Sequence, residues 1–176
     1  GERINPTGKK RLQQAMREGD SSYPCAQAVA QAEAGAEVLD VNAGLPGIDE
    51  PATLEQLVRD LQAVTDLPLQ LDSSNPDALS HALRIYNGKP IVNSVNGEQS
   101  TLDMILPLCK KYGAAVVGLA LDEHGIPATA DGRFAIAQRI VKAANAVGIP
   151  NEDIYIDCLT LTASAQQEGA VQTLEA

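Results

Sequence analysis

The sequence predicts an α/β fold: a parallel (β/α)8 barrel of the TIM type, present as a truncated barrel of about six βα units. Three observations carry this expectation. Strand-like and helix-like segments alternate along the whole chain, as parallel βα units require. Apolar runs end on polar side chains in Leu69-Gln70-Leu71-Asp72, Pro90-Ile91-Val92-Asn93 and Ile154-Tyr155-Ile156-Asp157; each suits a short buried strand whose last residue projects at its C-terminal edge. The chain has 176 residues, whereas a complete barrel takes about 250. One domain, 1–176, is therefore expected to be incomplete at both ends and to lack about two C-terminal βα units. A complete, doubly wound open sheet would also fit the length. Against its dinucleotide-binding version, Asn42-Ala43-Gly44-Leu45-Pro46-Gly47 leads into a loop, and Pro46 interrupts the glycine pattern.

Taken in order, residues 2–5 read as the tail of a strand, and Lys9 to Glu18 and Pro24 to Ala34 as two helices. Of these the alanine-rich second is expected close to the sheet. Strands are expected at Glu37 to Asn42, Leu67 to Asp72, Pro90 to Val95, Ala115 to Asp122 and Ile154 to Asp157. Between them, Thr53-Leu54-Glu55-Gln56 resembles a capping box, opening a helix with Leu54, Leu57, Val58, Leu61 and Val64 inward. Asn75-Pro76 caps the next, which buries Leu79, Ala82, Leu83 and Tyr86. Ser100 with Asp103 starts a third, packed through Leu102, Ile105, Leu106 and Cys109. A fourth, Phe134 to Val147, turns Ile136, Ile140, Val141 and Ala144 inward and ends at Gly148. Gly169 to Ala176 reads as the beginning of one more helix.

Bulk properties exclude several classes. The net charge of -10 is spread along the chain, so the body repels polyanions and nucleic acid is not an expected partner. No apolar run reaches the roughly 18 residues that span a bilayer, and the N-terminus lacks a signal-peptide layout, which gives a cytoplasmic expectation. Cys25, Cys109 and Cys158 are distant from one another and form no Cys-x-x-Cys pair; they read as ordinary buried thiols, with Cys158 facing away from Asp157. The two histidines, His81 and His124, stand apart from any ligand-type cluster, and no metal is expected. With 3% aromatic residues and no Trp, base-stacking platforms have little support.

Polar strand ends recur in unit after unit: Asn5, Asp40 with Asn42, Asp72 with Ser73, Asn93 with Ser94 and Asn96, Asp122, and Asp157. In a parallel barrel they share one rim. Such residues also end strands and cap helices for local reasons, but Asp72 and Asn93 precede their helices by several residues, which leaves them free to meet a ligand. An Asp, Asn, Asp set suits a flat, neutral heterocycle better than a phosphate. Hydrolysis by Asp72 and Asp157 as a carboxylate pair, or a divalent cation at Asp40, Asp72 and Asp157, are the other chemistries such residues allow. The basic run Lys9-Lys10-Arg11 reads as a solvated helix face.

The blocks Gly1-Glu2-Arg3-Ile4-Asn5-Pro6-Thr7-Gly8, Leu39-Asp40-Val41-Asn42-Ala43-Gly44, Leu71-Asp72-Ser73-Ser74-Asn75, Ile91-Val92-Asn93-Ser94-Val95-Asn96-Gly97-Glu98, Tyr112-Gly113-Ala114-Ala115-Val116-Val117 and Asp153-Ile154-Tyr155-Ile156-Asp157 follow one another along the whole chain. In content and order they resemble the pterin-binding domain of corrinoid-dependent methyltetrahydrofolate methyltransferases. That family includes the folate domain of methionine synthase and the methyltransferase of the corrinoid iron-sulfur protein, with dihydropteroate synthase more distant. The resemblance implies a pterin-binding barrel in which Asp72, Asn93 and Asp157 hold the ring; the remaining polar strand ends Asn5, Asp40, Asn42, Asn96 and Asp122 are expected as a secondary set on the same rim. It implies methyl transfer from 5-methyltetrahydrofolate to Co(I) of a corrinoid that a partner protein or cobalamin-binding domain supplies. The catalytic asparagine of the family is expected beyond Ala176, so the chain alone should be weakly active or inactive. A homodimer is among the arrangements the resemblance allows. A dihydropteroate synthase-like enzyme and a non-catalytic folate-binding module are the alternatives.

Overall fold

The computed structural model describes residues 3–160 and 167–176. The chain forms two compact units, residues 1–93 and 94–176, and each is built from βα steps whose strand pairings are parallel.

In the first unit, helices α1 (Lys10–Glu18) and α2 (Ser22–Glu33) precede β1 (Leu39–Val41), α3 (Glu50–Gln62), β2 (Leu69–Asp72), α4 (Pro76–Ile85) and the start of β3 (Ile91–Val95). The expected N-terminal strand tail is represented by one parallel bridge, Ile4 to Val41; Gly1 and Glu2 lie outside the described residues. Register pairs Asp40 with Gln70 and Asp72 with Asn93. Alternate residues of a strand face opposite ways, and here the two faces differ in kind. Leu39, Val41, Leu69, Leu71 and Val92 are fully buried, while Asp40, Gln70, Asp72 and Asn93 are half-buried.

Several boundaries differ from the sequence reading. Helix α3 begins at Glu50, not at Thr53, because the Asp49 side chain accepts from Ala52 N and Pro51 occupies the first turn. Its inward face is Leu54, Leu57, Val58 and Leu61, whereas Val64, beyond the helix end, is 43% exposed. Asn75 does cap α4, accepting from Asp77 N and Ala78 N. Tyr86 falls just after α4, where its hydroxyl accepts from Leu69 N at 2.8 Å and so ties the helix exit to the start of β2. Helix α2 lies against α1 and α3 and fully buries Ala28.

The second unit holds the end of β3, α5 (Gln99–Tyr112), β4 (Ala115–Leu119), α6 (Ala130–Ala146), β5 (Ile154–Asp157) and α7 (Gln167–Glu175). Ser100 lies inside α5 and does not cap it, since Glu98 holds the cap position. Leu102, Ile105, Leu106 and Cys109 form its buried stripe as expected. Burial pushes the Cys109 thiol up to about 12, so it stays protonated and inert. Cys25 and Cys158 are only half-buried. β4 stops three residues before the expected Asp122, because Leu121 N turns back to Leu119 O and Asp122 pairs with Gly125 in a tight turn. α6 starts four residues before the expected Phe134, capped by Thr129, whose side chain accepts from Gly132 N. Val141 of its expected stripe is only half-buried.

β4, β5 and α6 approach closely at Gly118. A Cβ there would lie 2.8 Å from Ile140 Cγ2 and 3.2 Å from Ile156 Cδ1. Gly118→Ala should therefore cost about 1–3 kcal/mol of stability, measured as a lower denaturant midpoint; an unchanged midpoint would show that α6 yields freely.

Candidate functional site

In the first unit the structure brings Asn5, Asp40, Asn42, Asp72 and Asn93 onto one half-buried polar face. Asp72 is its focus. Asn5 Nδ2 donates to Asp72 Oδ2 at 3.4 Å, and the Asn42 amide also hydrogen-bonds the same carboxylate. Local turns fix the direction of both amides. Asn5 Oδ1 accepts from Thr7 N at 2.9 Å and Asn42 Oδ1 from Gly44 N at 2.7 Å, so each NH2 is left to face the carboxylate.

Asp40 is the second carboxylate of this face. Its Oδ1 accepts from Gln70 Nε2 at 2.7 Å and from Asn93 Nδ2 at 3.3 Å. Its Oδ2 is buried and meets no donor among the described residues. Two acceptor-only groups thus share one face, and the half-buried Asp72 carboxylate can accept from a ligand rich in N–H donors. Gln70 is the residue that sequence reasoning passed over. It sits two positions before Asp72, hence on the same face, and that period was the available signal.

Ser73 belongs to the scaffold instead. It is 4% exposed; its hydroxyl donates to Glu50 Oε1 at 2.5 Å and accepts from Asn75 N. That joins the exit of β2 to the starts of α3 and α4.

In the second unit the expected residues are mostly committed to local turns. Asn96 Oδ1 accepts from Glu98 N, Asp122 Oδ1 from His124 N and Asp157 Oδ1 from Leu159 N, each two residues on. Arg139 lies 3.6 Å from Asp122 and donates to Gly97 O at 2.9 Å, closing the loops after β3 and β4. Asp157 is exposed at the end of β5. Cys158 lies on the other side, with Ile156, in a cavity of about 750 Å³ against α6. Among the described residues no group of three or more His, Cys, Asp or Glu is placed to hold a metal ion, and no helix is long and apolar enough to cross a membrane.

Burial raises the Asp72 carboxyl above its ordinary 3.8; the Asn42 hydrogen bond opposes this, the Asp40 charge adds to it, and Arg3 and Asn5 lower it. With the folded pKa above the unfolded one, the native state binds the proton more tightly. Stability from this group is then greatest at low pH and falls as pH rises from about 3.8 through the folded pKa. Asp72→Asn should melt higher than the parent near neutral pH and lose that advantage well below 3.8. A lower melting temperature for the variant near neutral pH would contradict this account of the face.

Comparison with known proteins follows the same lines. The pterin-binding enzyme family model matches residues 1–176. The chain is 32% identical over 186 aligned residues to a methionine synthase of Mycobacterium leprae, with all of the chain and 15% of that protein covered. It is 30% identical to a methylcorrinoid:tetrahydrofolate methyltransferase of Eubacterium limosum, covering 96% of the chain and 63% of the relative. The chain therefore spans about one-seventh to just under two-thirds of the length of these relatives. Among solved structures, Xanthomonas albilineans dihydropteroate synthase with 4-aminobenzoic acid superposes with a TM-score of 0.68 at 19% identity, over 96% of the chain and 61% of that structure. The same enzyme with 7,8-dihydropteroate gives 0.67 at 22% identity, over 97% and 63%. These structures share the α/β barrel fold.

Proposed function

Since the chain belongs to the pterin-binding enzyme family, we propose that it binds 5-methyltetrahydrofolate and presents its methyl group for transfer to Co(I) of a corrinoid. The observation that carries this reading is the half-buried acceptor face of the first unit, with Asp72 at its centre and Asp40 Oδ2 lacking a donor. An amino-pyrimidine ring edge is flat, neutral and lined with N–H donors, so it can satisfy carboxylates that a phosphate would repel. Asp72 and Asn93 hold the ring from this face. Asp157 keeps its place among the ring-holding residues on the sequence resemblance.

The same face does not fit a corrinoid. It offers no imidazole: His81 sits exposed on α4 against Glu55, and His124 is exposed in the turn after Asp122. A partner protein or a cobalamin-binding domain brings the corrinoid, which supplies the cobalt nucleophile that accepts the methyl group. The residues of this chain bind and orient the donor ring. A tertiary amine leaves poorly unless its nitrogen gains a proton or a stronger hydrogen bond near the transition state, a task the resemblance assigns to an asparagine at a later strand end. A cytoplasmic setting, the expectation from the sequence, completes the proposal.

In the full-length protein, Asp72→Ala and Asn93→Ala should each weaken methyltetrahydrofolate binding by about 1–3 kcal/mol, the cost of an unmet buried polar partner, as read by titration calorimetry. Unchanged affinity in both variants would sink the assignment. Retained pterin affinity without methyl transfer to a corrinoid would identify a folate-binding module, and condensation of p-aminobenzoate with a pterin pyrophosphate would identify a synthase.

A further inference from the structure

Asn93 differs from the other amides of the polar face in how its direction is set. Asn5 and Asn42 are aimed by their own turns. Asn93 lies within β3, and its NH2 faces Asp40 Oδ1. A carboxylate only accepts, so the amide end turned toward Asp40 must be the nitrogen, and the carbonyl oxygen is turned away from it. Reversing the amide would set oxygen against oxygen beside an Asp40 Oδ2 that already lacks a donor.

The contact from Asn93 is long, at 3.3 Å, and cannot hold the carboxylate by itself. Gln70 supplies the hold. Its Nε2 lies 2.7 Å from the same oxygen, and strand register places it directly across from Asp40. Asp40, Gln70 and Asn93 come from three neighbouring strands of one unit, on the face shared with Asp72.

We propose that Gln70 is a positioning residue which, through Asp40, locks the Asn93 amide with its carbonyl oxygen toward the ligand, so that the site selects a reduced pterin over an oxidised one. The proposal rests on the pterin reading above and deepens it. A tetrahydropterin carries N–H donors in its reduced half, where the fully oxidised ring has bare, accepting nitrogens. A fixed carbonyl oxygen accepts from the first and opposes the second. Once the lock is released, the amide can turn its NH2 outward and serve either ring.

The test measures anaerobic binding of tetrahydrofolate and of folic acid to the full-length protein and to its Gln70→Leu variant. The parent should prefer tetrahydrofolate, and Gln70→Leu should narrow that preference by about fivefold, the worth of about one hydrogen bond. Asp40→Asn retains the size of the side chain but can face Asn93 with either end of its own amide; it should narrow the preference as well, and it carries the test if Gln70→Leu does not fold. Equal weakening of both ligands with an unchanged ratio would make Gln70 merely structural and overturn the proposal, as would unchanged binding of both. If the parent bound neither compound, the pterin reading itself would fall, and this inference with it.

Discussion

A carboxylate accepts hydrogen bonds and donates none, and the polar face of the first unit is organised around that asymmetry. Asp40 and Asp72 stand on neighbouring strands, on the face opposite the fully buried Leu39, Val41, Leu69 and Leu71. Every amide that meets them must do so through its nitrogen. The turns that aim Asn5 and Asn42 agree with this rule, and the directions of Gln70 and Asn93 follow from it. So does the kind of ligand the face can take, since what remains unmet on it is acceptor capacity.

The face is also a cost to the fold. Partial burial disfavours the charged form of Asp72, and the Asp40 charge nearby adds to the penalty. Two amides and the charge of Arg3 offset part of it. A chain selected for stability alone would place apolar or neutral residues on this face; strained or desolvated polar groups persist where function uses them. The scaffold beneath is correspondingly firm. Ser73 is shared between Glu50 and Asn75 N, and Tyr86 holds the start of β2, so β2 is fixed at both ends by side-chain hydrogen bonds.

The fold was largely legible because alternation of strand and helix patterns survives in a single sequence. Leu79 and Leu83 on α4, and Leu102 to Cys109 on α5, show helical spacing that nothing else explains. Boundaries were less legible. Asp49 and Thr129 cap helices earlier than the apolar stripe begins, and the turn at Leu121 ends β4 before its apolar run is over. Among the polar strand ends, sequence could not separate loop formers from ligand-facing groups, because Asn and Asp serve both uses. In the structure their hydrogen-bond partners differ. Asn5, Asn42, Asn96, Asp122 and Asp157 each accept from the backbone two residues on, whereas Asp72 and Asn93 are engaged by side chains across strands. Gln70 was hidden because it sits inside an otherwise apolar run.

Arg133 was hidden for a different reason: its partners are far away in the chain. The residue is 4% exposed, and its guanidinium donates to Pro127 O, Cys158 O, Leu159 O and Thr173 Oγ1. Carbonyl dipoles converging on a buried cation replace the water it has lost. Leu159, at φ 59°, occupies the left-handed region that a branched side chain avoids. Such a conformation persists only when its surroundings over-determine it, and here both of its polar groups are taken: its N–H by Asp157 Oδ1, its carbonyl by Arg133 and Thr173. The aim of the Asp157 carboxylate therefore depends on a cation from α6 and a hydroxyl from α7. A residue that looks in sequence like the simple end of a strand is oriented by two helices, one of them entirely downstream of it.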